Sequence, residues 1–169
     1  MKSLSIAVLA AGVALAALGP AQAAAKGEAF LKKAIGGDLA EVQMGKLAQE
    51  KGSSDAVRSF GQTLVTDHSK AQQQATETAQ SLGVTAPSAP PKKAQGEKAK
   101  LSKLSGKAFD RAFIDHMVQD HKEDIAAYTR EAKLKADGKV AELASESLPT
   151  LRKHLQLAQS MQKDMKAKK

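Results

Sequence analysis

Residues 83 to 96 read Gly-Val-Thr-Ala-Pro-Ser-Ala-Pro-Pro-Lys-Lys-Ala-Gln-Gly, and this stretch constrains the fold more than any other. Three prolines and two glycines cannot continue a helix, so the chain must cross open ground here. Two long segments of helical periodicity lie on each side. Within each pair the break is short: Lys51-Gly52 before Ser53 and Ser54, and Asp137-Gly138 further on. Short turns make antiparallel pairs. The long connection, residues 83–106, makes the second and third helices parallel. An all-α four-helix bundle with an up-down, crossover, up-down plan follows.

Composition agrees. Alanine, lysine, glutamine and leucine dominate, runs of β-branched residues are absent, and a sheet has little to build on. A chain of 169 residues is enough for one domain. Residues 1–23 read as a secretory signal. Met1-Lys2-Ser3 gives a positive start, Leu4 to Leu18 an apolar run, and Ala21-Gln22-Ala23 a cleavage site with the cut after Ala23. The mature domain is then 24–169, in the periplasm or secreted. No cysteine occurs, so thiolate metal sites, disulfides and cysteine nucleophiles are excluded. The formal charge is +8, which points to anionic envelope components as partners and, in that compartment, not to nucleic acid.

The first helix is expected over Gly27 to about Glu50, with Phe30, Ala34, Glu41, Met44 and Ala48 on one face. Glycines 36, 37 and 45 allow close helix approach or room beside Glu41. The second runs from about Asp55 to Leu82, centred on His68, with Asp67 about 100° away at the boundary. A short helix is expected over about Glu97 to Leu104, within a stretch of six lysines that reads as solvated surface. The third runs from Lys107 to about Ala136, with His121 in an apolar stripe of Ile114, Met117, Ile125 and Tyr128, and His116 on the far, exposed side. The fourth runs to about Lys166 around His154. Pro149 is expected to kink or restart it, with Ser147 as cap.

Glu41, His68, His121 and His154 are therefore each centred on the apolar face of one long helix. At about 1.5 Å per residue, His68 and His121 each lie roughly 20 Å from their helix starts. His154 lies roughly 24 Å past the last turn and His121 roughly 22 Å before it. Glu41 is off by roughly one helical turn from His68. Three imidazoles and a carboxylate near mid-bundle make a candidate metal site for Zn, Fe, Mn, Ni or Cu. A metal-free hydrogen-bonded network of the same groups is the alternative. Asp124, one turn from His121, is a candidate further ligand or supporting partner. Met44, Met117 and Met161 near the site read as core filler, and Tyr128 as a core tyrosine.

Four stretches resemble a bacterial family, the domain-of-unknown-function family four-one-four-two. They are Glu41-Val-Gln-Met-Gly-Lys-Leu-Ala48, Val65-Thr-Asp-His68, Phe109-Asp-Arg-Ala-Phe113 with His121, and Leu148-Pro-Thr-Leu-Arg-Lys-His-Leu155. The resemblance implies an exported, ferritin-like domain and no known activity. The Glu-x-x-His pairs of di-iron bundles are missing: Val65, Val118 and Leu151 stand three before His68, His121 and His154. Iron storage and ferroxidase chemistry are not inherited with the fold. No Ser-His-Asp arrangement, phosphate loop or nucleotide fingerprint is present. The function classes left are a metal-binding envelope protein, a non-catalytic or stress-related one acting through its basic surface, and metal-assisted chemistry at the polar cluster.

Overall fold

The computed structural model describes residues 20–134 and 138–167, with side chains from residue 27 onward. Residues 1–19 of the expected signal lie outside the described residues, and the first helix, α1 (Pro20–Lys51), already includes its last four. Four more helices follow: α2 (Asp55–Ser81), α3 (Lys92–Leu101), α4 (Gly106–Lys133) and α5 (Gly138–Ala167). Among the described residues there is no strand, and no helix is long and apolar enough to cross a membrane.

The breaks fall where backbone chemistry requires them. Ser54 caps α2 by accepting a hydrogen bond from the Val57 amide. At the other end Gly83 takes φ +70°. The Val84 amide then donates to Ala79 O and the Gly83 amide to Gln80 O, a glycine-terminated Schellman end. α3 starts a turn earlier than Glu97, directly after Pro91, and ends at Leu101. Pro149 does not restart α5, which is one continuous helix. Pro149 and Ser145 are both exposed, so the carbonyl that the proline deprives of a donor faces water. Ser147 consequently caps nothing, and its hydroxyl donates back to Leu143 O.

α1 packs with α2, and α4 with α5. α2 also meets α5, α1 meets α4, and α3 covers the seam between α1 and α4. The Asp110 carboxylate, in the first turns of α4, accepts hydrogen bonds from Ser53 and Ser54 just ahead of α2. The second and third long helices therefore begin at the same end and run parallel. α1 and α2 cross closely at two glycines. A Cβ on Gly45 would stand 2.6 Å from Gly61 O, and one on Gly61 2.6 Å from Gly45 O.

The core is split. One apolar cluster, including Met44, Leu64, Phe109, Phe113 and Met117, fills the end near the α1–α2 turn. A second, including Phe30, Leu31, Ile35, Tyr128, Val140 and Leu151, fills the opposite end. Each long helix carries its buried histidine or acid between them: Asp38 and Glu41 on α1, His68 on α2, His121 on α4 and His154 on α5. Met44 and Met117 belong to the apolar packing and Met161 lies against it, so core filler is their role.

Candidate metal centre

Three of the four expected residues meet. His68, His121 and His154 are buried, and each offers a ring nitrogen such that all three atoms lie within 4.8 Å of one another. Their ring centroids stand 5.2–5.7 Å apart. Glu41 does not join this group. The one-turn height mismatch read from the sequence is real, and the acid one turn earlier, Asp38, takes the place at the level of His68.

Each ring is held by a bond that fixes its tautomer. His121 Nδ1 lies 3.0 Å from the Met117 carbonyl oxygen. A carbonyl only accepts, so Nδ1 carries the proton and Nε2 keeps its lone pair. His154 Nε2 donates to Asp67 Oδ2 at 2.9 Å, which leaves the Nδ1 lone pair facing inward. His68 Nδ1 donates to Asp38 Oδ1 at 2.8 Å, and its buried Nε2 has no hydrogen-bond partner. Burial pushes His121 down to about 3, with His68 and His154 adding to the shift. His154 is also lowered by burial, against the pull of Asp67. At neutral pH both rings are neutral, and a second proton on His121 is strongly opposed.

The result is three nitrogen lone pairs aimed into one buried space. The closest two, His121 Nε2 and His154 Nδ1, are 3.3 Å apart. Two nitrogens bound at 2.0–2.1 Å to a tetrahedral ion would be separated by about 3.3 Å, so the residues fit such an ion. Neutral imidazoles with carboxylates or carbonyls behind them are also the usual arrangement of metal-ligating histidines. Phe60 meets His154 edge-on and contributes to the dry wall.

Acids fill the neighbouring space between α1 and α4. Burial, then the neighbouring Asp120 carboxylate, holds Glu41 well above the usual carboxylate range. Glu41 Oε2 is buried and receives no hydrogen bond from an N–H or hydroxyl donor. Burial, then Asp120, pushes Asp124 up to about 7. Burial also raises Asp38, outweighing its bond to His68. Tyr128 packs edge-on against Phe30 and is raised by burial, then by Asp38 and Asp124. Asp124 is thus a neighbour of the site and stands outside the three-histidine group. His116 is half-buried, not fully exposed, and lines a cleft with these acids.

Sequence reasoning missed Asp38, Asp67 and Asp120 as members of the polar layer. Asp38 was within reach of it, because it lies one turn before Glu41 on the same buried side. Asp67 was discounted for sitting 100° from His68. In a bundle the neighbouring helices lie at about that angle, so His68 faces the centre while Asp67 reaches α5.

The comparisons agree with this architecture. The family model described as "Domain of unknown function (DUF4142)" matches residues 13–161. The crystal structure of a DUF305 fragment from Deinococcus radiodurans is similar with a TM-score of 0.71 and 18% identity, over 82% of this chain and 96% of that chain. At that identity the likeness speaks for the fold alone. No curated protein matches the chain.

Proposed function

We propose a function for a chain that belongs to the DUF4142 family: it holds one divalent transition metal through His68, His121 and His154, in the middle of a ferritin-like four-helix bundle. One observation carries this reading. Three buried ring nitrogens have their lone pairs directed at one another, and each ring is turned that way by a bond to its other nitrogen. Without a cation, lone pairs would face each other in a buried space, an arrangement that costs free energy.

The donor set narrows the ion. Three imidazoles suit Zn, Cu, Ni or Fe better than Mn, which favours oxygen. The carboxylates of Asp38 and Asp67, behind two of the rings, balance a double positive charge. When bound, the metal supplies a Lewis acid or redox centre. The chain's own part is to fix the three nitrogens and keep bulk water out. In this reading the leader at residues 1–23 exports the protein, and the site works in the periplasm or outside the cell.

Metal analysis of protein purified without a metal-affinity tag tests the proposal. The expected result is one ion per chain and a melting temperature that falls in chelator. A metal-free preparation whose stability ignores both chelator and added Zn²⁺ would remove it. The 3.3 Å contact between His121 and His154 also favours a second reading, a network sharing one proton between them. That reading predicts the metal-free result.

A further inference from the structure

Two openings flank the three histidines. A cleft of about 220 Å³ between α2 and α5 reaches Asp38, Asp67 and His68. In that cleft Asp67 Oδ2 accepts from His154 Nε2–H and Asp38 Oδ1 from His68 Nδ1–H, while the third carboxylate, Glu146, is exposed.

The other cleft, about 320 Å³, opens between α1, α3 and α4. Its walls carry five acidic side chains and two lysines, so an arriving cation meets carboxylate oxygens that can take the place of its waters. Glu41 lines it, is only 2% exposed, and leaves Oε2 without a partner. A small void of about 10 Å³ shares Lys33, Gly37 and Asp124 with this cleft. That void is also lined by Asp38 and His68. Asp38 is 5% exposed, and its Oδ2 too is unpartnered. Two buried oxygens without donors therefore mark a line of carboxylates that ends on a metal-site histidine. The void has room for about one water-sized species, so an incoming ion must shed its waters there. Among the described residues only the three histidines are spaced tightly enough to retain an ion, and the acids are spread too far to do so.

We infer that the carboxylates Glu41, Asp124 and Asp38 form the access route by which a hydrated divalent cation passes from the α1/α3/α4 cleft to His68, His121 and His154. This rests on the metal-binding reading above. The acids give up their protons to replace the ion's waters in turn, and the imidazoles keep it. Route and resting site are then separable: changes along the acids alter the rate of loading and not the final affinity.

The test is stopped-flow loading of the metal-free, tag-free full chain with Zn²⁺, together with equilibrium affinity by chelator competition. Asp124→Asn thins the route, and Ala40→Trp plugs its cleft. Thr150→Trp plugs the opposite cleft. Loading should slow at least about tenfold in Asp124→Asn and Ala40→Trp, as expected for a lost carboxylate ligand on the route or lost access. Thr150→Trp should load within about twofold of the parent, and the affinity of all three should stay within about threefold. Asp124→Asn keeps the test decisive if Ala40→Trp fails to fold. Unchanged loading in Asp124→Asn, or slowing by Thr150→Trp alone, overturns the route and leaves the three-histidine site standing. A parent protein that takes up no Zn²⁺ removes the site itself, and the route with it.

Discussion

His68, His121 and His154 each give one ring N–H to an acceptor and turn the other nitrogen inward. On the α1–α4 side, burial and Asp120 raise the affinity of Glu41 and Asp124 for protons, and Glu41 Oε2 stays without a donor. Both groups are buried and polar, yet they have opposite characters. The histidines are positioned from behind and their lone pairs converge. The acids lack such supports, and their mutual repulsion is relieved by holding protons. The first arrangement suits retention of a fixed cation. The second suits transient occupancy. Burial of polar groups therefore does not identify a site by itself. What distinguishes the two regions is how the second atom of each group is used.

The largest effect expected from breaking that contrast is on affinity. His121→Ala removes a ligand and should weaken Zn²⁺ binding by about a thousandfold or more, beyond the 10–100-fold typical of supporting residues. Glu41→Gln should change the same constant by less than about threefold. Titration calorimetry on both variants reads the difference, and equal losses would erase the distinction. Asp67→Asn comes next. It frees His154 to rotate and change tautomer, and about a 10–100-fold loss is expected.

Gly61→Ala should destabilise the fold by about 1–3 kcal/mol in urea unfolding, because its Cβ would press on Gly45 O. It should leave the affinity ratio of the two preceding variants intact, which separates site effects from general loosening. The smallest effect concerns pH in metal-free protein. Asp124 is raised from 3.8 to about 7 by folding, so its proton stabilises the native state. That contribution is whole below 3.8 and is lost as pH rises from there through about 7. Asp124→Asn should therefore gain on the parent steadily as pH rises from about 4 to about 8, read from paired unfolding curves. His121 acts in the other direction. Its native value of about 3 lies below the unfolded 6.5, so stability falls as pH drops below 6.5. His121→Ala should flatten that acid limb in a pH series of melts.

Much of the helical plan was legible. The Pro/Gly-rich stretch at 83–96 and the two short turns fixed the parallel placement of the second and third helices, which the Asp110 bonds to Ser53 and Ser54 show directly. The three histidines were legible because each sits alone in an apolar stripe at a matching height. Glu41 is the member whose height reads a turn off in the sequence, and it stands outside the three-histidine group. Stripe position identifies a buried acid, but only the depth along two antiparallel helices pairs it with a neighbour, and that depth selects Asp38. The tautomers were not legible at all. They depend on Met117 O, Asp38 and Asp67, partners set by side-chain direction between helices and not by spacing along one. Pro149 was over-read, because a proline on a solvent-facing side loses a bond that water replaces.

Nitrogen-15 NMR of the three imidazoles, with and without one equivalent of Zn²⁺, tests the central claim most directly. Metal-free protein should show the proton on His68 Nδ1, His121 Nδ1 and His154 Nε2. Adding Zn²⁺ should shift His68 Nε2, His121 Nε2 and His154 Nδ1 together, saturating at one ion per chain. Zn²⁺ that leaves these three nitrogens unmoved, or that shifts only the half-buried His116, would contradict it.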